Sequence, residues 1–135
     1  LHDIAKGSPD HARAGGRLLR DRGFYEVARI VEAHIEIRSA DSPHIYPDEV
    51  VYLADKLIEE SRYIPLITRR RRLMNKLCHD IKACAAVHER IENAKKIQRK
   101  IEKNVGKTIQ EILKDESGQI SGTAADDTSA AAWRG

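Results

Sequence analysis

Apolar residues recur at helical spacing along most of the chain. Val27, Ile30 and Val31 repeat in this way and predict a helix that carries His34 near its end. A much longer helix is predicted over approximately residues 80–104. No segment alternates apolar and polar residues for long enough to predict a strand. We therefore predict an all-α fold, a helical bundle with a long C-terminal helix.

Residues with known capping preferences mark the first helix boundaries. Ser8 followed by Pro9 predicts a helix start, with Ser8 as N-cap and Pro9 at the first helical position. An earlier helix would then end near Gly7. Gly23 predicts the C-terminal cap of the second helix, and Gly15-Gly16 within it predicts a close approach by another helix.

The helices in the second half of the chain are predicted from the same kinds of apolar pattern and capping residue. Residues 39–47 are typical of a loop, and residues 50–58 carry an apolar face broad enough for a helix through the middle of a bundle. Pro65 opens a further helix. Gly106 ends the long helix, and Thr108 with Glu111 forms a capping box that starts a short last helix.

The chain divides into three predicted parts. Residues 1–73 form a helical domain, residues 74–114 form a helical extension packed on it, and residues 115–135 are rich in small and polar residues without periodicity. The last part is predicted to be disordered. Because the chain opens at Leu1, without Met and inside an apolar segment, we expect it to be a fragment.

Composition limits the classes of protein. With 135 residues the chain holds one small domain, which excludes a multidomain enzyme. No stretch approaches the roughly 20 apolar residues of a membrane span, and LHDIAKG does not resemble a signal peptide. We expect a cytoplasmic protein with no membrane partner. Cys78 and Cys84 have the spacing of neither a disulfide scaffold nor a zinc pair, and are expected to be buried or surface thiols.

Charge is distributed unevenly. Residues 1–61 carry a net charge of −4, residues 62–107 of +10 and residues 108–135 of −3. A basic stretch is found at nucleic-acid and anionic surfaces, but basic residues spread along a long helix are more often a solvated face. Nucleic acid is therefore the less favoured partner.

Three histidines and two aspartates lie on four predicted helices and would converge inside a bundle: His2, Asp3, His11, His34 and Asp55. Imidazole together with carboxylate suits divalent transition ions such as Mn, Fe, Co, Ni or Zn, whereas a site for Mg alone is normally richer in oxygen ligands. The set therefore predicts a site for a divalent metal ion.

Each of these residues also has a purely structural explanation. His11 would be an exposed polar residue, His34 a helix-end histidine and Asp3 a cap. Asp55 is harder to explain, because VVYLADKLI places it among apolar residues, where an unpaired buried carboxylate is costly. Its alternatives are an ion pair with an arginine, such as Arg62, or a position facing solvent.

Four segments, taken together, resemble the HD superfamily of metal-dependent phosphohydrolases: LHDIAKG, DHARAGGRLL, VARIVEAHIEI and DEVVYLADKL, in that order. This resemblance covers residues 1–73. PDHARAGGRLLRDRGF and EVVYLADKLIEESRYIPLITR are more narrowly similar to the HD domain fused behind a nucleotidyltransferase that resembles the molybdenum-cofactor cytidylyltransferases. The resemblance implies a nucleotidyltransferase upstream and an HD domain that lacks its first helices.

In the superfamily, a histidine on an earlier helix, the His-Asp pair and a late aspartate bind the first metal ion. His2, Asp3 and Asp55 match the pair and the late aspartate, whereas the earlier histidine is absent from the chain. His11 and His34 match positions that bind a second ion in some members. The resemblance thus implies one or two divalent ions, with one expected ligand missing.

The activity implied by the resemblance is hydrolysis of a phosphomonoester or phosphodiester bond in a nucleotide or small phosphorylated metabolite, by water that the metal activates. Asp3 would act as general base. Lys6 matches a residue that contacts the substrate phosphate, and Arg62 and residues 69–72 are further candidates for that contact. The sequence contains no nucleophile elbow and no P-loop, so covalent catalysis has no support.

Two other functions remain open at this point. In one, the domain is a non-catalytic accessory module of a cofactor-biosynthesis nucleotidyltransferase, which binds a nucleotide or pterin product without hydrolysing it. In the other, the basic segment 62–107 binds nucleic acid or a partner protein, with an affinity that falls steeply with salt.

Overall fold

A computed structural model describes the backbone of residues 1–37, 42–77 and 79–123, with side chains up to residue 116. Within these ranges the helices are α1 (His11–Arg20), α2 (Tyr25–Ala33), α3 (Pro47–Leu57), α4 (Leu66–Leu77), α5 (Ile81–Val105) and α6 (Ile109–Thr123). Two short strands, β1 (Ile58–Glu59) and β2 (Arg62–Tyr63), pair between α3 and α4. The prediction of an all-α fold is confirmed.

The chain begins with consecutive turns, not with the end of a helix. The amide of Ile4 donates to the carbonyl of Leu1, and the amide of Lys6 donates to that of Asp3. These bonds span three residues, as in a 3₁₀ turn, and Gly7 follows with φ of +108°, which ends the series. The prediction of a helix ending near Gly7 is therefore wrong.

The first helix starts later than predicted. α1 begins at His11, with Asp10 as its N-cap, so Ser8 is not the cap and Pro9 lies in the preceding turn. A turn bond from the amide of Ser8 to the carbonyl of Ala5 holds Ser8 in the N-terminal turns. At its other end, Gly23 has φ of +82° and closes the helix as predicted.

α1 and α2 approach closely at Gly15, as predicted. A Cβ atom added to Gly15 would lie 3.0 Å from Cγ2 of Ile4 and 3.1 Å from Cγ1 of Val31. Only a residue without a side chain lets both apolar groups come so near. This contact holds the N-terminal turns, and with them His2 and Asp3, against α1 and α2.

The buried face of α3 differs from the one predicted. Val50 and Ile58 are 46% and 39% exposed, and the side chains that the helix buries are those of Glu49, Tyr52, Leu53, Lys56 and Leu57. This face still follows helical spacing, but it includes an acid and a base. α3 is therefore an amphipathic helix with paired charges on its inner face, not a uniformly apolar one.

The buried acid of α3, Glu49, has partners inside the fold. The Glu49 carboxylate lies 2.6 Å from the ammonium of Lys100 on α5, and its other oxygen accepts a hydrogen bond from the amide of Tyr46 at 3.1 Å. Glu49 thus links the start of α3 to α5.

The strand pair was missed by the sequence analysis. Each strand has two residues, too few for any alternation to be visible. The turn between them places Glu60 at φ of +47° and Ser61 at +64°. Two successive residues at positive φ are the mark of a type I′ turn, which usually carries Asn and Gly.

Residues 1–101 form one compact unit, and a second begins at Glu102, within α5. The boundary predicted from the sequence lies after residue 73. In the first unit α5 buries Val87, Ile91, Ala94 and Ile97.

In the second unit, Thr108 and Glu111 form the predicted capping box. The helix α6 that they start continues to Thr123. The prediction of disorder from residue 115 is thus wrong up to that point: the stretch holds two glycines, Gly118 and Gly122, and a glycine in a started helix costs only about 1 kcal/mol.

Some predictions lie outside the described residues, namely those for Cys78, for residues 39–41 of the loop and for the tail from residue 124. Cys84, the described cysteine, is half-buried, and its thiol donates to the carbonyl of Leu77 at 3.0 Å. Among the helices that the structure describes, none has the length and apolar character needed to cross a membrane.

Candidate metal centre

The five predicted ligands come from four stretches of backbone and meet on one side of the bundle. His2 and Asp3 lie in the N-terminal turns, His11 is the first residue of α1, His34 is the C-cap of α2, and Asp55 lies in the last turns of α3. The structure brings all five side chains together.

One group of three surrounds an oxygen of Asp3. Its Oδ1 atom lies 3.6 Å from Nε2 of His11 and 3.6 Å from Nε2 of His34. One donor atom from each of these residues lies within 4.8 Å of the other two. Two ligands that are each roughly 2.1 Å from one ion are at most roughly 4.2 Å apart, so this group is close to a ligation geometry already.

A second group surrounds the other oxygen of Asp3. Nε2 of His2 lies 3.8 Å from Asp3 Oδ2 and 3.4 Å from Asp55 Oδ1. Asp3 therefore stands between the two groups and presents one oxygen to each. The partition is the one that the family resemblance implies, with His2, Asp3 and Asp55 in one group and His11 and His34 in the other.

A backbone hydrogen bond fixes the ring of His34. Its Nδ1 atom lies 2.5 Å from the carbonyl oxygen of Val31. Because a carbonyl only accepts, Nδ1 must carry the hydrogen, and Nε2 is left with its lone pair directed at the cluster. A second nitrogen bound to a carbonyl is the usual way in which a metal-binding histidine is oriented.

Burial keeps His34 neutral. Only 2% of this residue is exposed, and burial lowers the pKa of its imidazole below the ordinary value of 6.5, although the Val31 carbonyl and the charge of Asp55 act in the opposite direction. A histidine must be deprotonated at the ligating nitrogen to bind a metal ion. The environment of His34 thus favours the neutral imidazole, which is the form that binds a metal ion.

Asp3 is held in its charged form. Burial raises the pKa of its carboxyl, but the hydrogen bond from Lys6 and the electrostatic effects of His2, Lys6 and His34 lower this pKa by more, so the net shift is downward. The Lys6 ammonium lies 3.2 Å from Asp3 Oδ2. Lys6 itself is mostly exposed, so its ammonium is accessible to an anion at the mouth of the cluster.

Lys56 is a residue of the site that the sequence analysis missed. Its ammonium donates to Asp55 Oδ2 at 2.6 Å and to the carbonyl of His34 at 2.7 Å, and lies 4.3 Å from the centre of the Tyr52 ring. Burial lowers its pKa, while Asp55 opposes that shift. Lys56 lies three or four residues, or two turns, from the buried residues Glu49, Tyr52 and Leu53 on the same face of α3. This spacing is the signal in the sequence that could have predicted its burial.

Asp55 forms an ion pair, one of the two alternatives considered for it, but its partner is Lys56. Its carboxylate is half-buried and pairs with Lys56 and His2, not with Arg62.

Tyr52, which lies beside Lys56, is held in its protonated form. Burial raises the pKa of its phenol to about 12, and the hydroxyl donates to the carbonyl of Arg90.

Two cavities adjoin the cluster. One has a volume of about 400 Å³ and the other of about 700 Å³, and both are lined by Asp3, Lys6, Asp55 and Arg69. Arg62 lies exposed on β2 and lines neither cavity. Of the arginines considered for phosphate contacts, Arg69 on α4 is the one that the structure brings to the cluster.

The residues fit a divalent ion. Three imidazoles and two carboxylates form the donor set, the ring of His34 is oriented by Val31, and Lys56 holds one oxygen of Asp55. Mixed nitrogen and oxygen donors of this kind suit transition ions.

Comparison with known proteins adds nothing to this picture, because no family model, curated protein or solved structure matches the chain.

Proposed function

We propose that this chain is a metal-dependent phosphohydrolase of the HD type, which acts on a nucleotide or another small phosphorylated metabolite. The observation that supports this proposal is the meeting of His2, Asp3, His11, His34 and Asp55, which come from four separate stretches of backbone. Exposed acidic groups often cluster without binding metal. Three histidines, one of them buried and oriented by a carbonyl, are harder to explain without a ligand.

The two groups on either side of Asp3 favour two ions. His2 and Asp55 would hold one ion, His11 and His34 the other, and Asp3 would contribute an oxygen to each. The candidate ions are Mn, Fe, Co, Ni, Zn or Mg, with the nitrogen donors favouring the transition metals. A bound ion would supply a water of lowered pKa and positive charge for the phosphoryl oxygens.

The chain's own residues would transfer the proton and bind the phosphate. Asp3, which is charged at neutral pH, would accept a proton from the attacking water. Lys6 and Arg69 line both cavities and would attract and orient the phosphate. In the hydrolysis of a monoester, the water oxygen forms a bond to phosphorus, the bond to the ester oxygen breaks, and the proton passes to the leaving alcohol.

The experiment that tests the proposal measures metal content and turnover together. The chain is loaded with Mn²⁺, Co²⁺ or Mg²⁺ and given a panel of nucleotides and simple phosphate esters. We expect metal-dependent release of phosphate or nucleoside. The Asp55→Ala variant is expected to lose at least 100-fold of this activity.

Asp21→Ala, at an exposed helix end, is the matched control and should behave as the wild type. A folded, metal-loaded protein that hydrolyses none of the panel would overturn the proposal. It would leave the chain as a binding domain, which is the role implied for an accessory module of a molybdenum-cofactor-type nucleotidyltransferase.

A further inference from the structure

The smaller of the two cavities beside the cluster is lined by two chemically different sets of side chains. One set comprises the charged and imidazole side chains of the candidate metal centre together with Lys6, Lys56, Arg69 and Arg90. The other set comprises five aliphatic side chains, Ile35, Leu73, Leu77, Val87 and Ile91. These come from α4, from α5 and from the residues just after α2, so no single element accounts for the apolar wall.

The apolar wall is shielded from water at its base. Val87 is 5% exposed and Ile91 is 2% exposed, whereas Leu73 and Leu77 are half-buried and border the open space. A volume of about 400 Å³ lies within the range of roughly 300–1,000 Å³ that is typical of small-molecule sites. A mainly apolar chamber with a few convergent polar groups is the usual composition of such a site.

The larger cavity does not have this character. It carries Glu59 and Glu60 beside the apolar Ile58, which is 39% exposed. An apolar group bound there would stay in contact with water, and a phosphate would meet two carboxylates in addition to those of Asp3 and Asp55. The smaller cavity is therefore the better place for the organic part of a substrate.

We propose that the substrate is a phosphate ester whose organic part is apolar, alkyl or aryl, and lies in the chamber formed by Ile35, Leu73, Leu77, Val87 and Ile91. This inference rests on the proposed function, since it takes Lys6 and Arg69 as the phosphate-binding residues of the same cavity. Leu73 is the specificity-determining residue that is easiest to change, because it is only half-buried. A nucleotide or another sugar phosphate would place hydroxyl groups against aliphatic carbon and leave them without partners. The inference therefore narrows the proposed function to phosphorylated metabolites with an apolar organic part.

A series of n-alkyl phosphates from methyl to pentyl tests this inference. These esters have alcohols of similar acidity as leaving groups, so a change along the series reports burial of the chain and not a change in the chemistry. With Mn²⁺ present, kcat/KM is expected to rise roughly fourfold per methylene, which corresponds to about 0.8 kcal/mol for each one buried. Glycerol phosphate is expected to fall well below butyl phosphate.

The variant Leu73→Gln is expected to flatten this dependence on chain length. Ile67→Gln is the matched control, since Ile67 lies on the same helix, is 64% exposed and does not line the cavity. It should retain the wild-type slope. A wild-type slope of zero, or an unchanged slope in a folded Leu73→Gln protein, would overturn the inference.

Binding of n-alkylphosphonates, which cannot be hydrolysed at the carbon–phosphorus bond, separates the two proposals. Calorimetric affinity that rises with chain length, in a protein that hydrolyses no ester, would retain the apolar chamber and reject the phosphohydrolase. Turnover of esters without any dependence on chain length would retain the phosphohydrolase and reject the chamber.

Discussion

The ammonium of Lys56 lies 2.6 Å from Oδ2 of Asp55, its neighbour in α3, and so leaves Oδ1 of the same carboxylate directed at His2. Successive residues of a helix point about 100° apart, so the two side chains must turn towards each other for their charged ends to meet. Lys56 is anchored in that position by the carbonyl of His34. It is a positioning residue for Asp55.

Replacing Lys56 by Met tests this role. We expect Mn²⁺ affinity to fall by about 10- to 100-fold, because residues that orient metal ligands typically contribute this much. Isothermal calorimetry would measure it. Lys76→Met, an exposed lysine on α4, is the control and should bind as the wild type. Unchanged affinity in a folded Lys56→Met protein would show that Asp55 is positioned without the lysine.

The buried pair of Glu49 and Lys100 gives a prediction about stability. Lys100→Met would remove the ammonium that lies 2.6 Å from the Glu49 carboxylate, which is 2% exposed. The free energy of unfolding is expected to fall by about 3 kcal/mol. Adding Glu49→Met should recover part of this loss, because the buried carboxylate is then removed as well.

Urea denaturation measures both variants. Arg72→Met breaks the exposed pair with Glu59 and serves as the control, with an expected change of about 0.5 kcal/mol or less. A Lys100→Met protein as stable as this control would contradict the prediction.

The turn at Glu60 and Ser61 predicts a stabilising substitution. Both residues have positive φ, which costs about 1–2 kcal/mol per residue for most side chains but little for Asn and Gly. Glu60→Asn combined with Ser61→Gly is expected to raise the free energy of unfolding by about 1 kcal/mol and to raise Tm. Calorimetry measures the change. A lower Tm would mean that the two original side chains stabilise the turn in another way.

The buried imidazole of His34 predicts a dependence of stability on pH. Burial lowers its pKa below 6.5, so the unfolded chain takes up a proton near pH 6.5 and the folded chain only at a lower pH. Stability is therefore expected to fall as pH decreases from 7.5 to 5.5 in the presence of a chelator. The lowered pKa of Asp3 acts below 3.8 and lies outside this window.

The variant His34→Asn retains a donor for the Val31 carbonyl and should show a smaller dependence on pH. His79→Asn changes an exposed histidine and should follow the wild type. Identical slopes for the wild type and His34→Asn, from urea denaturation at each pH, would count against a buried neutral imidazole.

The sequence was sufficient for the central helices and for the residue types of the cluster, but not for the N-terminal turns or the length of α6. Val27, Ile30 and Val31 define one apolar face, and the position of His34 at the end of that helix follows from it. Local patterns are enough here because helical periodicity is set within a few residues.

The sequence was not sufficient for contacts between elements. Arg69, not Arg62, reaches the cluster because α4 packs beside α3, and no spacing along the chain reports that. Lys56 was missed because the pattern of apolar residues treats a lysine as exposed, whereas its pairing with Asp55 allows it to be buried. The short strands gave no periodicity at all.

The candidate metal ligands lie on four separate stretches of backbone, so the site forms only when these stretches pack together. A chain with all its helices but loosened packing would keep its far-ultraviolet circular dichroism and would not bring His2, His11, His34 and Asp55 together. Occupancy of the cluster, followed for instance by the visible absorption of Co²⁺, would then report tertiary order separately from helix content. The fraction of molecules with Co²⁺ bound would thus measure the fraction in which the helices have reached their native packing.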